Sequence, residues 1–224
     1  MLKKINPLNH RAFIFIAWLT ALTISCFIPL LSLTGSYRFI LSGINVVLPL
    51  AGGLFSCSMA GMLIASLWIL KLLLWKLPIT VGLPSACSVL SWAGAANSQK
   101  QKALNIAINA VLPALCMAIF ILHPIAGLAW PYALYWLIPI AIYFLSPKNP
   151  LLIALQSTFI AHAVGSTMWL FLVPMTTTAW LALIPVVALE RLSIALVATI
   201  LFKAIKKASV LFALRLFKRK NASN

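Results

Sequence analysis

Leu151–Leu201 reads LLIALQSTFIAHAVGSTMWLFLVPMTTTAWLALIPVVALERLSIALVATIL. It holds two apolar runs, Leu151–Val173 and Ala179–Leu201, separated only by Pro174–Thr178. Each run is near the roughly 20 residues that carry an α-helix across about 30 Å of hydrocarbon. A connection this short makes the two helices antiparallel neighbours. The apolar positions are continuous and do not alternate, so barrel strands are excluded and the segment reads as a transmembrane hairpin of helices.

The rest of the chain has the same character. Of its 224 residues 63% are hydrophobic and 8% charged, against about 25% charged in a soluble domain. There is too little polar sequence to coat a soluble core, so apolar faces must meet lipid. Further runs lie at Ala12–Leu33, Ala103–Leu122 and Leu128–Leu145. The first is too long for the core of a secretory signal and is expected to stay as a transmembrane helix. Two stretches are ambiguous: Phe39–Trp75 is long for one crossing and short for two, and Leu77–Asn97 is interrupted by Pro78, Gly82, Pro84 and Gly94.

Charge arbitrates. With Leu54–Trp75 crossing once, Phe39–Gly53 dipping in from or lying on the outer side and Leu77–Asn97 staying on the inner side, the chain has six spans and both termini are cytoplasmic. Fifteen of the seventeen Lys and Arg residues then face inward, Arg38 faces outward and Arg191 lies in the membrane. That distribution obeys the positive-inside rule. An eight-span alternative moves Lys71 and Lys76 outside. The expected fold is therefore an all-α polytopic membrane helix bundle. Residues 1–202 form one transmembrane domain, and 203–224 form a basic cytoplasmic tail that reads either as an amphipathic helix on the anionic leaflet or as a topology anchor. The expected location is the inner membrane of the cell, as a multi-pass protein in contact with the lipid bilayer. The formal charge of +16 follows from this topology, because the basic residues sit at the ends of apolar runs, and a nucleic-acid partner is not expected.

Ionisable groups at membrane depth are costly and mark candidate sites. His162 and Glu190 are each fourteen residues from Thr176, the middle of the connecting turn. Equal distance from the turn of an antiparallel hairpin means equal depth, about 20 Å along each helix. Thr158, His162, Ser166 and Trp169 follow helical spacing and share a face. Asn105, Asn109 and Cys116 form a similar stripe on another span, and Pro185 frees a carbonyl near Glu190. Facing one another, His162, Glu190, Ser166, Trp169 and Asn109 would line a small polar pocket suited to an organic molecule. Glu190 has a second reading, as a purely structural partner of Arg191 or His162. Neighbouring helical residues point about 100° apart, so either Glu190 or Arg191 is expected to contact another helix. Cys26, Cys57, Cys87 and Cys116 lie in apolar segments without metal-ligand spacing, so neither a metal nor a cofactor is expected.

On these features the chain resembles the substrate-binding subunits of energy-coupling-factor vitamin transporters. The likeness lies in its size, six spans, cytoplasmic termini and the pair Ala17-Trp18-Leu19-Thr20-Ala21 on the first helix. It implies binding of a small organic substrate such as a vitamin from the outer side. It also implies docking through Ala17 and Ala21 onto a coupling membrane subunit, with partner ATPases supplying energy. Thr34–Val46, His123–Ala129 and Pro174–Thr178 would be the gating and ligand-contacting loops. The sequence carries no phosphate-binding loop of its own, in keeping with energy from partners. Two other classes stand beside this reading: a self-sufficient proton-coupled carrier using His162 and Glu190, and a structural membrane assembly protein. An enzyme is not expected, since one acid and three histidines leave few catalytic constellations.

Overall fold

A computed structural model describes residues 15–22, 24, 29–33, 39–42, 44–55, 57–75, 82–145 and 148–221. The chain forms the expected all-α bundle, with a single two-stranded hairpin near its beginning among the described residues. After helical residues 15–22 come strands β1 (Pro29–Leu33) and β2 (Phe39–Ser42), then helices α1 (Ile44–Leu54) and α2 (Cys57–Trp75). Next are α3 (Leu83–Ala96), α4 (Lys102–Leu122), α5 (Ala126–Leu145), α6 (Pro150–Leu172) and α7 (Thr177–Asn221). Among the described residues four helices, α4 to α7, have the length and hydropathy to cross a membrane.

The run Ala12–Leu33 is not one helix. Its last five residues pair antiparallel with Phe39–Ser42, with Leu33 opposite Phe39 and Pro29 opposite Ser42. Pro29 is the first residue of β1, a position where a strand tolerates a residue with no backbone N–H.

The two ambiguous stretches each contribute a packed helix. Within Leu77–Asn97, helix α3 buries Ala86, Ser88, Val89, Ser91, Trp92 and Ala93 and packs between α1 and α6. At fourteen residues it is about 21 Å long, short of a full crossing. Pro84 sits in its first turn, where a missing N–H costs nothing. Small side chains on both partners permit the close approach. Ser88 Oγ lies 2.7 Å from Ser157 Oγ, and the Ser157 hydroxyl reaches the Ser88 carbonyl at 2.9 Å. In the other stretch, α1 buries Val46, Leu48, Leu50 and Ala51.

At Gly52, α1 packs directly against the backbone of α3. A Cβ there would run into the backbone oxygen of Val89, which cannot swing aside as a side chain could. Gly52→Ala is expected to lower stability by about 1–3 kcal/mol, as overpacking does, read as a drop in the melting temperature of the detergent-solubilised protein. Gly61→Ala, with open space around its Cβ position, should change little.

Three apolar clusters fill the bundle. One joins α4 to α7 through Phe120, Tyr132, Trp136, Phe159 and Trp180. A second joins residues 15–22 to α1, α2 and α3 through Leu22, Leu48, Leu63 and Val89. The third sets α1, α3, α6 and α7 together through Leu50, Trp92, Ala154, Ala195 and Phe202. Pro113 cannot donate to the Asn109 carbonyl, and α4 widens into a π-turn over Ala107–Val111 just before it. Helix α7 runs for 45 residues, about 68 Å, more than twice the hydrocarbon thickness. The basic segment from Lys203 onward is thus an extension of the last span, and residues 206–211 are exposed.

Candidate functional site

The expected α6–α7 hairpin forms, and both of its helices bury polar groups. On α6, Thr158, His162 and Ser166 are all buried. Ser166 Oγ is 3.5 Å from His162 Nδ1 and 3.0 Å from the Tyr132 hydroxyl on α5. Four rings enclose the imidazole: Tyr132 at 5.4 Å between centroids, Phe159 at 6.3 Å, and Tyr135 and Trp136 at 6.5 Å each. His162 Nε2 and Trp136 Nε1 are buried with no hydrogen-bond partner among the described residues.

Glu190 and Arg191 pair with each other at 2.7 Å and are about nine-tenths buried. The guanidinium also reaches α6, donating from Nη1 to the Thr158 carbonyl at 3.4 Å. The long arginine stem spans the angle between neighbouring positions, so the ion pair and the contact with another helix coexist. Arg191 also borders a small polar cavity with Asn45, Pro49, Ser85, Ser88 and Thr158. At about 10 Å³ it matches the space needed by one water molecule.

The five residues expected to share a pocket are distributed differently. His162 and Ser166 come together. Glu190 is engaged with Arg191, and Trp169 is half-buried at the edge of the aromatic cluster. Asn109 belongs to a separate tie between α3 and α4. It accepts from the Ser91 hydroxyl and donates to the Asn105 side chain at 2.8 Å and to the Ser91 carbonyl at 3.2 Å. Ala17 and Ala21 are both exposed on the helical segment 15–22, and Ser193, one turn from Glu190, is also exposed.

A cavity of about 300 Å³ lies elsewhere, at the end of the bundle formed by the α4–α5 and α6–α7 turns. It is lined by His123 and Ile125 from the first turn, Leu170–Met175 from the end of α6 and the turn after it, and Trp180 from α7. The volume is at the lower end of the range for small-molecule sites. None of the five residues above lines it. Trp180 forms a rigid wall, 2% exposed, with its ring 5.0 Å from Phe120 and 5.1 Å from Tyr132. Behind that wall Tyr132 contacts His162 and Ser166, and none of these three lines the cavity. In the sequence His123 stands out only within His123–Ala129, one of the loops that the resemblance makes ligand-contacting. Its meeting with Leu170–Met175 depends on how α4 and α6 end at the same level. Thr177 ties the two turns, donating to the Ile125 carbonyl at 3.1 Å.

No family model matches the chain, and neither the curated proteins nor the solved structures include a match to it.

Proposed function

We propose that the protein is a membrane transport subunit that binds a small organic substrate in the cavity between the α4–α5 and α6–α7 turns. The observation that carries this reading is the position of the cavity. It sits at the end of the bundle whose turns, 123–125 and 173–176, hold no Lys or Arg. Lys100, Lys102, Lys148 and Lys203 mark the opposite end. By the positive-inside rule the lysine-rich end faces the cytoplasm, so the cavity opens outward from the inner membrane, as an uptake site must.

In this reading the chain captures substrate, and partner ATPases drive release through a coupling membrane subunit, as in the energy-coupling-factor transporters. The exposed Ala17 and Ala21 provide a flat, small-residue strip of the kind that permits close helix packing against such a subunit. A proton-driven carrier is the second reading, favoured by the buried series Tyr132, Ser166, His162. Proteoliposomes holding this chain alone separate the two. The subunit reading expects labelled substrate to bind without accumulating, whatever the pH gradient. Accumulation driven by a pH gradient would sink it in favour of the carrier.

A further inference from the structure

We propose, resting on the reading of this cavity as the substrate site, that it selects an uncharged planar ring compound bearing a hydrogen-bond acceptor, which receives the Nε2–H of His123. The tautomer is set by the turn itself. His123 Nδ1 accepts from the backbone N–H groups of Ile125 at 3.4 Å and Ala126 at 3.3 Å. A ring nitrogen that accepts amide hydrogens carries none, so the neutral imidazole bears its proton on Nε2. His123 lines the cavity, and with Nδ1 engaged in the turn the Nε2–H is the donor its ring has left for a ligand. The ring is further held edge-on to Phe171, 6.1 Å between centroids.

The walls exclude charge. None of the nine described residues lining the cavity has a permanently charged side chain. The only acid in the chain, Glu190, is paired with Arg191 and does not line the cavity, so an entering cation would meet no carboxylate there. An anion would meet the C-terminal end of the 23-residue helix α6, whose unpaired carbonyls present partial negative charge. Desolvating an uncompensated ion there is costly. Phe171, 69% exposed, instead offers aromatic surface to a flat ring.

The test uses the full chain in lipid nanodiscs and three probes of nearly one shape: quinoline, which has an acceptor, naphthalene, which has none, and N-methylquinolinium, which is charged. Binding is followed by ligand-detected NMR against empty nanodiscs. Quinoline is expected to bind about two- to tenfold more tightly than naphthalene, the worth of one hydrogen bond, and the cation no better than to empty discs. His123→Phe should erase the preference, whereas His123→Gln, which keeps a donor, should retain it. Equal binding of quinoline and naphthalene by the native protein, binding of the cation, or binding of none of the three would overturn the inference. A pH-driven uptake result in proteoliposomes would remove the subunit reading while leaving this selectivity standing, so the two failures are distinguishable.

Discussion

Arg191→Met should be the most damaging single substitution in the bundle, lowering stability by about 3–5 kcal/mol. The guanidinium neutralises Glu190 at 2.7 Å and ties α7 to the α6 backbone at Thr158. Removing it leaves a carboxylate about nine-tenths buried with no counter-charge, and the cost is that of an orphaned charge more than of a lost bond. For a chain of this size the loss corresponds to a fall in melting temperature of roughly 10 °C. The double variant Glu190→Gln, Arg191→Met removes both charges and should recover most of the loss, since a buried pair is worth little against neutral groups of similar volume. If the double variant is as unstable as the single one, the pair acts through more than mutual neutralisation. If Arg191→Met melts like the native protein, the buried pair described here is wrong.

The second large effect concerns function. Val173→Trp places a large ring at the rim of the 300 Å³ cavity. Val173 is half-buried at the end of α6 with an extended backbone, φ −130° and ψ 120°, a geometry that suits an aromatic residue. Folding should therefore survive while the space for substrate disappears. Uptake by cells carrying this variant is expected to fall at least about tenfold, the scale set by losing some 1.4 kcal/mol or more of binding. Val173→Ile, a small enlargement, should keep most of it. Undiminished uptake by a folded Val173→Trp protein would move the substrate site away from this cavity.

Much of this architecture was legible in the sequence because lipid imposes one dominant rule. Apolar runs of about 20 residues become helices, and the short connection Pro174–Thr178 forces α6 and α7 to be antiparallel. Hence the equal depth of His162 and Glu190 could be counted from the turn. What resisted reading was the part where the rule is ambiguous. The apolar sequence before Leu33 satisfied the length criterion, yet its end, from Pro29 onward, forms a strand. The stretch around α3 is interrupted by proline and glycine, and its burial could not be read from its pattern. Its small residues are what let it pack against α6, as the Ser88–Ser157 contact records. At the site, helical spacing grouped His162 with Ser166 correctly, since both lie on one helix. It could not place Asn109, because the π-turn before Pro113 and the partner Ser91 on another helix decide where that amide goes. The cavity arises between two turns distant in sequence, and only the folded chain brings His123 to Phe171.

The most direct test of the central claim is affinity purification of the tagged protein from its native host in mild detergent, with mass spectrometry of everything retained. The account predicts recovery of a coupling membrane subunit together with ATPases, and a small uncharged organic molecule released on denaturation. Recovery of the chain alone, with uptake intact in cells lacking any such partners, would contradict it.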